Sequence, residues 1–156
     1  MKKIKHKVFA YITHGHHLLV FRHLYVPEAG IQVPAGTVET HERSDDAVLR
    51  EASEETGLSD LTLDCFLGEQ KRDMSDFGQN EIHHRRFYHL RCHGNPPPTW
   101  RHEERYHSDD PKLLPIIFDF FWAPLPHAVP PLIADHGMML PQLLDGLSLS
   151  AEFSKQ

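Results

Sequence analysis

Residues 36–58, GTVETHERSDDAVLREASEETGL, run from a polar loop into a helix, and the spacing of their glycines and acids decides both the fold and the chemistry to be expected. Ser44 stands where an N-cap is expected, and Asp45 and Asp46 suit the positive end of a helix dipole. Gly57 can take the left-handed conformation that stops a helix, so the segment predicts about three turns. Glu51, Glu54 and Glu55 then stand at i, i+3 and i+4 and project from one face. Like charges so placed repel by a few tenths of a kcal/mol per pair, a conflict that a bound cation removes. All-oxygen ligands without Cys or His favour Mg²⁺, with Mn²⁺ as substitute. A Glu-x-x-Glu-Glu fragment alone is ordinarily a solvated face. What distinguishes this one is the company of Gly36, Glu42, Arg50 and Gly57, none of which a generic charged helix requires.

Working outward, Lys7–Ile12 and Leu18–Arg22 read as strands of a hairpin turned by Gly15. Ile31–Pro34 is short and extended, and Ala35-Gly36 is expected to open a loop. Leu61–Glu69 and Arg85–Cys92 are further strands flanking a turn or loop over Lys71–Glu81. The charged, proline-rich stretch Asn95–Lys112 reads as a long loop, and Leu113–Trp122 as a buried strand. Pro131–Leu147 has helical apolar spacing broken by Gly137 and Pro141, which predicts one kinked helix or two short ones.

Composition narrows the class. The 156 residues, 40% apolar and 24% charged, fit one domain spanning 1–156. No run is long and apolar enough for a membrane helix, and the basic start lacks a secretory pattern, so a cytoplasmic location is expected. Cys65 and Cys92 lie in strand-like segments without close metal-ligand spacing and read as reduced core thiols. A formal charge of -6 argues against nonspecific attraction to nucleic-acid backbone, although a local basic groove could still take a small phosphorylated ligand. The histidine groups His14-His16-His17, His83-His84 and His102-His107 lack a zinc-binding signature and read as surface or hairpin residues.

The order Gly36, Glu42, Arg50-Glu51, Glu54-Glu55, Gly57-Leu58 resembles the 23-residue signature of the Nudix family, with Ala52 and Leu58 at its apolar positions. The resemblance implies an α/β (α+β) fold, an α/β/α sandwich around a central mixed β-sheet. It also implies a metal-dependent hydrolase that cleaves the P–O–P bond of a nucleoside diphosphate linked to another moiety. By that resemblance Gly36 offers a backbone carbonyl to the metal beside Glu51, Glu54 and Glu55. Arg50 orients the carboxylates and Glu42 closes the loop onto the helix or Arg50, while Val48, Ala52 and Leu58 pack against the sheet. Relatives take the water's proton with a box glutamate or with one from a later loop, for which Glu103 and Glu104 are candidates and Glu81 a weaker one. Arg22, Arg85 and Arg86 are candidates for phosphate contacts, and Trp100, Phe77 and Tyr106 for stacking on a base, against the simpler reading of surface charge and packing. Two other readings share the fold: a catalytically idle nucleotide sensor and a prenyl diphosphate isomerase. The complete signature weighs against the first, and the lack of matching Cys and Glu positions against the second. A small nucleotide-like diphosphate is the expected partner, no DNA-binding segment is evident, and a homodimer stays open. No downstream tag selects among nucleoside triphosphates, nucleotide sugars and capped RNA ends.

Overall fold

In the computed structural model, which describes residues 1–104 and 114–149, the apolar run Val8–Ile12 is the middle of a sheet covered on both faces. Its strand, β1 (Lys3–His14), sends Val8, Ala10 and Ile12 into one core and Phe9 and Tyr11 into the other. Gly15, at φ +58°, turns β1 into β2 (His17–His23). Two short strands follow, β3 (Ile31–Gln32) on β2 and β4 (Ala35–Thr37) on β1. Next come helix α1 (Ser44–Thr56), β5 (Leu61–Asp73), β6 (Glu81–Cys92), β7 (Thr99–Glu103), β8 (Ile117–Pro124) and helix α2 (Leu140–Gly146). The sheet order is β5-β6-β1-β2-β8-β7; β1 and β6 are parallel and the other pairs antiparallel. Ala47, Val48 and Ala52 of α1 pack on the first face, and Met139 and Leu143 at α2 on the second, which is the expected sandwich of helices around a mixed sheet. Among the described residues no helix is long and apolar enough to cross a membrane.

Several local expectations are corrected. Ala35-Gly36 does not open a loop but forms β4, because β1 and β2 part beyond their shared turn and leave β1 an unpaired edge. Arg43, with ψ 143°, is the N-cap of α1 and gives no side-chain cap bond. Ser44 is the first helical residue, and its hydroxyl accepts hydrogen bonds from Arg86 (3.1 Å) and Tyr88 (2.8 Å), tying the helix start to β6. Gly57 ends the helix as expected, at φ 78°. β5 and β6 reach into the predicted Lys71–Glu81 loop, leaving a short connection with a 3₁₀ turn over Ser75–Phe77. β7 lies within the stretch read as one long loop. It is an edge strand that presents Thr99, Arg101 and Glu103 outward, so its charged composition concealed an alternating pattern. The strand expected from Leu113 begins at Ile117. Of the two C-terminal options the chain takes two short pieces, a 3₁₀ turn at Ile133–Asp135 and α2. Cys92 is buried, but Cys65 lies exposed on the edge strand β5 and is not a core thiol.

Candidate active site

Gly36 is needed for room rather than for an unusual backbone angle. A Cβ built there would stand 2.1 Å from Cδ and 2.3 Å from Cγ and Oε2 of Glu51, whose side chain lies directly across β4. Helix and strand are held at this separation by Arg50. Its guanidinium grips Glu42 with two bonds, Nε to Oε2 at 2.8 Å and NH2 to Oε1 at 2.9 Å. NH1 donates to Glu51 at 2.9 Å and to Glu54 at 3.3 Å, and NH2 donates to the Thr37 carbonyl at 3.2 Å. Glu42 also accepts the Glu39 backbone N–H at 3.0 Å, so it closes the loop onto Arg50. These bonds, Arg50's first, hold the Glu42 carboxyl down at about 2.

Of the three helix carboxylates, Glu55 is the most enclosed, 9% exposed. Burial raises its pKa well above the usual range, Glu104 and Glu51 add to the rise, and the Ala35 backbone N–H opposes it. Burial likewise raises Glu51, with Arg50 opposing. Arg50 holds both Glu51 and Glu54 through NH1, and the three carboxylates do not converge to mutual ligand distance. Glu39, Glu51, Glu54, Glu55 and Glu104 line one cleft of about 420 Å³ in which Arg50 is the sole cation among the described residues. Five acids against one base is a strong electrostatic argument for a cation in this cleft, and the donors are all hard oxygens.

Glu55 and Glu104 also line a second cavity, of about 520 Å³, whose other walls include Lys7, Phe9, Gln32, Phe77 and Arg85. Arg85 is 1% exposed, lies 4.8 Å over the Phe9 ring, and donates from NH1 to the Ala134 carbonyl at 2.5 Å, while its Nε has no partner among the described residues. Burial, then Arg72, pushes it down to about 10, so it stays charged at neutral pH. Ala134 and Asp135 hold left-handed φ values of 50° and 61°, a strain that presents this carbonyl to Arg85. Lys7, its pKa lowered first by burial and then by Lys5, bonds Thr37 Oγ1 at 3.0 Å.

The remaining sequence candidates divide by position. Glu104 lies in both cavities; Glu103, one residue earlier on the edge strand, lines neither, and Glu81 is tied to His83 and Lys5. Arg22 is not brought to either cavity and stacks over Phe121 at 5.0 Å. Arg86 faces a different pocket, with His6, His41 and His84, and is bonded to Ser44. Phe77 is exposed at the rim of the larger cavity. Trp100 is a packing residue, stacked on Phe120 at 5.1 Å with its indole N–H on the Thr56 carbonyl at 2.8 Å. Tyr106 and His107 lie outside the described residues. Lys7 and Glu39 were not singled out from sequence; Lys7 heads an apolar run and Glu39 sits in a polar loop, and neither position carries a spacing signal.

β7, unseen in the sequence, organises the far end of the site. Trp100 bonds the Thr56 carbonyl, and His102 Nε2 lies 2.9 Å from the Glu54 carbonyl, so β7 supplies partners to the last turn of α1. The same strand ends at Glu103, which delivers Glu104 to the cavity wall beside Glu55.

Comparison with known proteins agrees with this geometry. The family model described as NUDIX domain matches residues 4–143. A MutT NUDIX hydrolase from Burkholderia pseudomallei superposes with a TM-score of 0.60 at 22% identity, over 91% of this chain and 99% of that one. A UDP-X diphosphatase gives 0.62 at 16% identity, over 94% and 66%. An ADP-ribose pyrophosphatase from Streptococcus suis gives 0.57 at 17%, over 94% and 93%. At these identities the likeness is one of fold, and no curated protein sequence matches the chain. The family match extends far beyond residues 36–58 and takes in the sheet on which they are mounted, and on that ground the chain belongs to the Nudix hydrolase family.

Proposed function

We propose that this protein hydrolyses the P–O–P bond of a small nucleoside diphosphate linked to another moiety, in a reaction that depends on Mg²⁺, with Mn²⁺ as substitute. The observation that carries the reading is the junction of two cavities at Glu55 and Glu104, one acidic and one holding Arg85 and Lys7. A diphosphate lying across that junction would have its charge met on both sides. Glu51, Glu54 and Glu55, with the Gly36 backbone, would hold the metal, and the close approach of Glu51 over Gly36 supports this. Bound there, the ion supplies neutralisation of phosphate charge and a more acidic water.

The chain's own groups do the rest. Arg50, anchored by Glu42, fixes the directions of Glu51 and Glu54. Arg85, whose buried guanidinium puts a positive charge in the cavity wall, and Lys7 orient the phosphates, while Phe77 and Gln32 contact the attached group. Glu104, which lines the cleft with Glu55 but lies outside the helix, takes the proton of the attacking water. The names of two structural neighbours, a UDP-X diphosphatase and an ADP-ribose pyrophosphatase, support a nucleoside diphosphate derivative as substrate class. The test is a panel of such compounds incubated with Mg²⁺ or Mn²⁺, with Glu54→Gln and Glu55→Gln as controls. Turnover that falls at least about 10²-fold in both variants is expected. No turnover on any compound, or full activity in both variants, overturns the proposal.

A further inference from the structure

We propose that Asp64, Cys65 and His89 form a second metal site, for a thiophilic divalent ion of the Zn²⁺ type, on the sheet face opposite α1. One ligand atom from each residue lies within 4.8 Å of the others. The arrangement depends on an irregularity in the sheet. Leu63 pairs with Leu90 and Cys65 with His89, so Asp64 is an extra residue without a partner on β6. In a regular strand Asp64 and Cys65 would point to opposite faces; at a bulge both can approach the same cross-strand residue, here His89.

The surroundings already have the form of a metal site's outer layer. His89 is 3% exposed, and its Nε2 lies 2.7 Å from the hydroxyl of Thr13, itself 2% exposed. That hydroxyl can accept an Nε2 proton and so leave Nδ1, the atom beside Asp64 at 2.9 Å, free to ligate. Arg91 holds Asp64 through Oδ2 alone, at 3.0 and 3.1 Å, which orients the carboxylate and leaves Oδ1 available. Cys65 is a free thiol on an edge strand, exposed to solvent. Ligand atoms in a tetrahedral zinc site stand roughly 3.5 Å apart. Small rotations of the exposed Asp64 and Cys65 side chains close the difference while His89 stays fixed.

On binding, Cys65 releases its thiol proton to solvent and the His89 proton moves from Nδ1 to Nε2. One thiolate and one carboxylate then balance the dication, and water completes the shell. Sulfur and nitrogen donors separate this site from the all-oxygen cleft at α1, which lies across the sheet.

The separation makes the proposal testable without reference to the hydrolytic reaction. The intact protein, stripped with chelator, is titrated with Co²⁺, which gives a near-ultraviolet thiolate charge-transfer band only where a cysteine ligates. The expected result is a band saturating at one ion per chain and abolished by added Zn²⁺. It should be lost in Cys65→Ser and need at least about 10-fold more Co²⁺ in Asp64→Asn. Any Mg²⁺-supported hydrolysis should be unchanged in both variants. Absence of the band in the unmodified protein, its persistence in Cys65→Ser, or unaltered affinity in Asp64→Asn overturns the assignment.

Discussion

Replacing Gly36 with alanine would put a methyl group 2.1 Å from Glu51 Cδ and 2.3 Å from its Cγ. Carbon atoms in contact settle at about 3.5–4.0 Å, so the glutamate would have to retreat by more than about 1 Å. Displacements of that size at a reacting centre can cost about 10²-fold in rate, and a loss in kcat/KM of that order is the expectation. Stability should hardly follow. The Arg50–Glu51 contact is partly exposed and worth at most about 1 kcal/mol, whereas an alanine in extended backbone recovers about 0.4–1 kcal/mol of unfolded-chain entropy. The variant should therefore melt within a few degrees of the parent while needing more Mg²⁺ for half-maximal activity. Steady-state assays across a Mg²⁺ series and thermal melts of the same preparation separate the two effects. Activity within about threefold of the parent at every Mg²⁺ concentration would show that Glu51 does not need its place over Gly36, and the metal assignment would lose its geometric basis.

The other predictions bear on groups around that point. Glu104→Gln should lower kcat by at least about 10²-fold and Glu103→Gln by less than about twofold; equal effects would remove Glu104 as proton acceptor. Arg50→Lys keeps the charge but not the two-bond grip on Glu42, so activity should fall about 10- to 100-fold with little change in melting, and full activity would refute its orienting role. His136, held down at about 3 by burial first and then by Arg85, Arg72 and Lys7, stays neutral in the fold and accepts the Val33 N–H at 3.3 Å. The unfolded chain protonates this residue near pH 6.5, so its contribution is present above that pH and is lost as pH falls toward 3, at about 1.4 kcal/mol per unit. Urea denaturation at pH 7 and pH 4.5 should accordingly show a loss greater by roughly 2–3 kcal/mol in the parent than in His136→Gln, and equal losses would exclude His136.

How far the sequence could be read depended on whether a feature was local. α1 and its stop at Gly57 follow from spacing and propensity within the helix's thirteen residues and the one that follows, and the structure keeps both. β4 could not be read that way, since Ala35–Thr37 has no strand pattern of its own and pairs only because β1 offers an edge there. β7 has an alternating pattern, but its outward residues are Thr99, Arg101 and Glu103, and on an edge strand such residues look like a loop. Ser44 shows the same limit. A serine before an acidic first turn reads as a cap, yet its hydroxyl is claimed by Arg86 and Tyr88, forty-two and forty-four residues away.

The site divides along the same line, and the division has a chemical meaning. Glu42, Arg50, Glu51, Glu54 and Glu55 belong to one loop and one helix, with Arg50 bonded to Glu42, Glu51 and Glu54, so their placement follows from spacing, and to this part the proposal assigns the metal. The cavity that would take the rest of the substrate is lined from distant elements: Lys7 from β1 and Arg85 from β6, proposed for the phosphates, Glu104 from the end of β7, proposed for the water, and Gln32 from β3 and Phe77 from the β5–β6 connection, proposed for the attached group. Arg22, Arg85 and Arg86 looked alike in sequence, and only the sheet distinguishes a cation stacked on Phe121 from one buried in the cavity and one bonded to the helix start. On the proposed reading, a short motif supplies the carboxylates for the metal, while the groups that meet the phosphates and read the attached moiety come from side chains that no short motif can bring together.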